Sequence, residues 1–187
     1  YLKGVPVNVT YHSNFGDDAT YVDTATTGDE YQALTTYSAT NLPERQGYTF
    51  DGWYKDVNCT EVYEPTTLMG DLHLYAKWDP NPYTVTWESE GNTLGTENVA
   101  YNHKPTQSYT PTKDADNDYT YTFKGWAVNG DTSNIVESTD IAVTANVTYV
   151  AVFDKTERKY TVTWKNEGTT LGTEKVAYNH KPTQSYT

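Results

Sequence analysis

Strict alternation is the clearest pattern along this chain. In Tyr83-Thr-Val-Thr-Trp87 and Tyr160-Thr-Val-Thr-Trp164 every second position is aromatic or branched apolar, the period of a strand with one face buried and the other in water. Leu74-Tyr-Ala-Lys-Trp78, Tyr149-Val-Ala-Val-Phe153 and Thr120-Tyr-Thr-Phe123 also read as strands. Glu90-Gly91-Asn92, Asn129-Gly130-Asp131 and Asn14-Phe15-Gly16-Asp17 supply residues that tolerate positive φ, so they read as turns. No long helical periodicity appears. Asp29 to Thr36, or Tyr63 to Met69, leaves room for one short helical turn. The pattern predicts a mainly β chain, α+β at most.

The strands recur in a larger unit. Residues 83–110 return as 160–187, an offset of 77 residues, with only Glu88/Lys165, Ser89/Asn166, Asn92/Thr169 and Asn98/Lys175 differing. Upstream, Val7-Asn-Val-Thr-Tyr11 takes the place of the Tyr83–Trp87 strand. Gly47-Tyr-Thr-Phe-Asp-Gly-Trp53 stands where Tyr119-Thr-Tyr-Thr-Phe-Lys-Gly-Trp126 stands later. Self-similarity at this spacing marks an array of modules. The expected organisation is module one at 5–79, module two at 83–154 and the truncated start of a third at 160–187. Short linkers, Pro80-Asn81-Pro82 and 155–159, join them. An opening hairpin without its later strands cannot bury its apolar face, so 160–187 is expected to be loosely ordered.

The run GYTFDGWYKD from Gly47, followed by LYAKW ending at Trp78, resembles the signature of the Listeria-Bacteroides repeat, also called the internalin B B-repeat family. Module two resembles it in variant form: Tyr119-Thr120 replaces the glycine before Tyr-Thr-Phe, and Phe153 replaces the closing tryptophan. The resemblance implies tandem small β-grasp-like modules, ubiquitin- or SUMO-like. It also implies an extracellular position at a bacterial cell surface or cell wall.

Residue chemistry assigns the motif a structural role. Phe50, Trp53 and Trp78 in module one, and Trp87, Phe123, Trp126 and Phe153 in module two, are large enough to anchor small cores. Gly52 and Gly125 permit a bulge or a close backbone approach beside the indole. The competing reading is an exposed tryptophan platform for sugars. Recurrence at strand positions in every module favours the core.

Charge narrows the partners. The formal net charge is -12, with a pI near 4.6, and no basic stripe answers a phosphate backbone, so a nucleic-acid partner is disfavoured. One cysteine, Cys59, allows no intrachain disulfide and no cysteine-rich zinc site. No run of 18 apolar residues spans a membrane, and no phosphate-cradling loop, nucleophile elbow or HExxH is present.

Two weaker candidates remain. His12, His73, His103 and His180 read as polar turn residues, since the last two share one repeat position and equivalent positions lie a module apart. Asp114, Asp116 and Asp118 space their carboxylates as a calcium loop begins, but Tyr119 and Gly125 fall where that loop needs Gly and Glu. A solvated hairpin loop is the better reading. No catalytic residue, metal ligand or cofactor is expected.

The expected role is a non-catalytic stalk for an adhesive or sensing head, with neighbouring repeats of the same chain as partners. The alternative is a module that binds a host surface glycoprotein or polysaccharide directly through exposed tyrosines. An enzyme would announce itself by polar side chains converging in one cleft.

Overall fold

The computed structural model describes residues 2–186. It divides into two units, Tyr1–Pro82 with Ala100–Asn102, and Tyr83–Val99 with His103–Thr187. The chain is mainly β.

In the first unit β1 (Pro6–His12) and β2 (Thr20–Thr26) form an antiparallel hairpin. A short strand β3 (Glu30–Tyr31) and a 3-10 turn at Tyr37–Thr40 lead into β4 (Tyr48–Tyr54). β5 (Thr66–Thr67) pairs with β3, and β6 (Leu72–Pro80) closes the unit. The sheet order is β2-β1-β6-β4, so the first and last strands lie side by side, parallel, in the middle. The crossover carries the one helical turn, outside both segments expected to hold it. Asp29 to Thr36 and Tyr63 to Met69 instead contribute β3 and β5.

The second unit repeats the plan. β7 (Pro82–Ser89) and β8 (Asn92–Ala100) form the opening hairpin, β9 (Tyr119–Val128) and β10 (Asp131–Val136) the second, and β11 (Val147–Glu157) returns beside β7. The order is β10-β9-β11-β7-β8, again with a parallel central pair. The turn joining β7 to β8 places Glu90 and Gly91 at φ 50° and 79°, and that joining β9 to β10 places Asn129 and Gly130 at 52° and 75°. Two successive positive values make the tight turn whose twist suits a hairpin.

The two sheets also tie their opening strands to the crossover alike. The Asn8 amide donates to Asp71 Oδ1 at 2.9 Å, and the Thr84 amide donates to Asn146 Oδ1 at 2.9 Å. Each bond satisfies a strand amide that would otherwise face solvent.

The alternating pattern puts one face of each sheet into a core. Val9, Tyr11, Leu74 and Ala76 are fully enclosed in the first unit, as are Val85 and Trp87 in the second. A third hairpin, β12 (Lys159–Asn166) with β13 (Thr169–Ala177), belongs to the second unit. Loose ordering was expected for it, yet the strands pair over their whole length, turning through Glu167 and Gly168 at φ 46° and 82°. One contact within the hairpin segment and one to the turn before β9 hold it. Trp164 packs on Tyr186 with ring centroids 5.2 Å apart, and the Arg158 amide ahead of β12 donates to Asp118 O at 2.7 Å.

Candidate functional site

The aromatic motif is expected in the core, with a sugar platform as the competing reading, and its placement decides what it can do. Trp53 is 5% exposed; its indole N–H donates to Leu34 O at 2.8 Å and its ring meets Tyr11 edge-on at 4.7 Å. Phe50 and Trp78 face each other across β4 and β6 at 5.8 Å, both half-buried, with Tyr37 wedged against Trp78 at 4.6 Å. Trp78 Nε1 donates to Ser13 O at 2.7 Å.

In the second unit Trp87 is fully buried, with its N–H on Thr139 Oγ1 at 3.3 Å. Trp126 is 3% exposed and meets Phe123 edge-on at 5.3 Å, while Phe123 faces Phe153 at 6.0 Å, both half-buried. These rings pack on neighbouring aromatic rings, and Trp53, Trp78 and Trp87 spend their N–H donors internally. Little face is left for a sugar.

Gly52 and Gly125 sit at bulges. The register skips one residue between Phe50 and Gly52 against β6, and again between Phe123 and Gly125 against β11. Their φ values, 148° and 155°, belong to backbone that side chains rarely adopt. At Gly125 a Cβ would also lie 2.7 Å from Val136 O, whereas at Gly52 it would meet open space.

Behind Trp53 runs a chain of hydroxyls. The Leu34 amide donates to Tyr11 Oη at 3.0 Å, Tyr11 donates to Tyr31 Oη at 2.8 Å, and Tyr31 donates to Asp23 Oδ2 at 2.7 Å. Burial first, and then the neighbouring hydroxyl and carboxylate, push the Tyr31 phenol well above its ordinary value; burial does the same to Tyr11. Both phenols therefore stay protonated and serve as donors. The relay fixes the crossover to the sheet and supplies no base near neutral pH.

The acidic candidate resolves into a turn. Asp116 Oδ1 accepts from the Asp118 and Tyr119 amides at 2.9 and 2.7 Å, and Oδ2 accepts from Tyr121 Oη at 2.6 Å. These bonds, the Tyr121 hydroxyl first, hold the Asp116 carboxyl below its usual range. Glu97 works alike: it accepts from the Thr106 and Gln107 amides and from Thr106 Oγ1, and is held low chiefly by the Gln107 amide. Glu174 repeats every one of those bonds with Thr183 and Gln184.

The histidines divide. His103 and His180 follow the left-handed Asn102 and Asn179 in turns, as expected. His12 and His73 do not, and the expectation for them is corrected. They lie on the parallel neighbours β1 and β6, with His12 Nε2 and His73 Nδ1 2.9 Å apart. Among the described residues no group of three or more His, Cys, Asp or Glu is placed to hold a metal ion.

The Listeria-Bacteroides repeat domain matches residues 8–77 and again 83–152, well over half the chain. The chain belongs to the Listeria-Bacteroides repeat family. Among its relatives is a putative Gly-rich membrane protein of Evansella cellulosilytica, 37% identical over 92 residues, which are 48% of this chain and 10% of that protein. Internalin H of Listeria monocytogenes is 36% identical over 87 residues, covering 45% of this chain and 15% of that protein. The chain thus spans a small part of the relatives it matches.

The two Listeria-Bacteroides repeats differ where the histidines meet. The parallel registers place Tyr11 opposite Leu74 in the first repeat and Trp87 opposite Tyr149 in the second. His12 and His73 therefore correspond to Glu88 and Thr148. The pair is private to the first repeat. Residues 61 apart in sequence gave no signal of their meeting, since only the pairing of first and last strands joins them. No described helix is long and apolar enough to cross a membrane.

Proposed function

We propose that this region is a non-catalytic spacer of a secreted bacterial surface protein. In this reading each Listeria-Bacteroides repeat is a small β-grasp-like module in a chain that holds other domains away from the cell. The organisation 5–79, 83–154 and 160–187 belongs to the same reading. A parallel central pair flanked by antiparallel strands, with a crossover between, supports the β-grasp assignment. The matches to Internalin H and to putative membrane proteins support a position at the cell surface.

One observation carries the proposal. The tryptophans of the two complete repeats pack against tyrosine and phenylalanine rings of their own repeat, and Trp53, Trp78 and Trp87 donate their indole N–H groups internally. Direct binding of a host glycoprotein or polysaccharide needs open ring faces, and the most exposed tyrosines among the described residues, Tyr160, Tyr178 and Tyr186 at 39–44%, all fall in the third hairpin or the segment after it. The repeats themselves offer few.

Small-angle scattering with a glycan and matrix-protein binding panel tests the reading. An extended particle without saturable binding is the expected result. A compact particle, or saturable binding lost on substituting the exposed tyrosines, overturns it.

A further inference from the structure

The paired histidines of the first repeat have a geometry that the spacer reading does not use. His12 leaves the end of β1 and His73 comes from β6, opposite Thr10 and so two pairs earlier in the parallel register, on the same face. Asp18, in the turn after β1, accepts from His12 Nδ1 at 2.7 Å. A carboxylate cannot donate, so His12 carries its proton on Nδ1 and turns the Nε2 lone pair toward His73. His73 then donates from Nδ1, which accounts for the 2.9 Å contact.

Tyr75 stacks on His12, with ring centroids 4.5 Å apart and planes 16° from parallel, so the imidazole is held from its face as well as its edge. The His12 side chain is only 14% exposed. His73 stands open to solvent.

We propose that His12 and His73 form a binding site for a divalent transition-metal ion of the zinc type, with Asp18 orienting the first ligand. The neutral imidazole is a ligand of choice for such ions, and a carboxylate on the far nitrogen is the usual support for a metal-bound histidine. Two imidazoles on one tetrahedral ion, each nitrogen about 2.0–2.1 Å from it, have ring centres about 5.2 Å apart and nitrogens about 3.3 Å apart. The His12 and His73 ring centroids are 5.2 Å apart.

The rings need only tilt in place, opening the nitrogens from 2.9 Å, for both lone pairs to converge on one ion. His73 shifts its proton from Nδ1 to Nε2 through solvent, so the pair binds the ion without net proton loss. No third His, Cys, Asp or Glu among the described residues completes the sphere. The remaining positions are left to water or to donor atoms of another molecule. The second repeat, with Glu88 and Thr148 at these places, lacks the site.

The test is calorimetric titration of zinc chloride into the whole chain near neutral pH in a non-chelating buffer. One saturable equivalent in the micromolar range is expected. His73→Gln should abolish it, Asp18→Asn should weaken it roughly tenfold, and the His103→Gln/His180→Gln pair should leave it unchanged. Imidazole 15N shifts on the wild-type protein should show zinc at His12 Nε2 and His73 Nδ1, an assignment that needs no variant to fold. Absence of saturable binding up to millimolar zinc overturns the proposal. So does binding that survives His73→Gln, or ion-induced shifts confined to His103 and His180.

Discussion

Trp87 and Trp164 occupy the same place in the repeat, yet Trp87 is fully buried and Trp164 is half-buried. The difference is one of partners. Trp87 lies under Tyr109 and Tyr149, the latter from β11, whereas Trp164 has Tyr186 of its own hairpin. Near-identical local sequence therefore yields different burial because β7 has β11 as a parallel neighbour, whereas among the described residues β12 pairs only with β13.

That contrast fixes the first prediction. Trp87→Ala empties a closed core site and should cost about 3–5 kcal/mol in denaturant unfolding. Trp164→Ala removes a ring that water already reaches and should cost at most about 1 kcal/mol. Equal losses would mean that the third hairpin is enclosed in solution.

The two bulge glycines should separate in the same way. Gly52→Ala meets only backbone strain at φ 148°, about 1–3 kcal/mol. Gly125→Ala adds a collision with Val136 O, a backbone atom that cannot swing aside. Thermal unfolding should therefore show a larger drop for Gly125→Ala. The reverse order would place the close approach at the wrong glycine.

These positions also show how far the sequence reaches. Alternation in Tyr83–Trp87 and Leu74–Trp78, and glycine in the turns, are local signals, so strands and hairpins could be read directly. At Gly52 and Gly125 the sequence offers either a bulge or a close backbone approach beside the tryptophan; the structure has a bulge at both and the close approach at Gly125 alone. Pairing between first and last strands is not local. It brings His12 to His73, and it depends on a crossover whose helical turn, Tyr37–Thr40, carries no periodic pattern. The loop reading of residues 114–118 is legible from the missing Gly and Glu, but spacing alone cannot tell which amides the Asp116 carboxylate will hold.

Acid should loosen the strand-to-turn clamps. The Glu97 carboxyl is held below its ordinary value of 4.5 by the Gln107 and Thr106 amides. A depressed carboxylate stabilises the fold above its unfolded pKa, and that contribution is lost as pH falls through the folded value. Glu97→Gln should lower the urea midpoint near neutral pH, and its deficit should shrink as pH falls below the carboxylate range. A deficit independent of pH would show that packing, not the charge, is what Glu97 contributes.

The last prediction concerns the turn that meets the third hairpin. Asp116 closes this turn with its carboxylate, and its own carbonyl accepts from the Arg158 guanidinium. Beside it Asn117 O accepts from Tyr160 Oη at 3.0 Å. The turn thus holds both a residue just ahead of β12 and one inside it. Asp116→Ala removes the acceptor that shapes the turn, and both grips should go together. Amide exchange at Arg158 and along β12 and β13 should rise, while β7 and the Trp87 core stay protected, because the bonds lost run to Arg158 and Tyr160 and not to β7. Since the Asp116 oxygens are already committed to amides and a phenol, millimolar calcium should leave the melting temperature of the wild type unchanged. A calcium-dependent rise would mean that the ion outcompetes those donors, and unchanged Arg158 exchange in Asp116→Ala would mean that the hairpin is held by its own contacts alone.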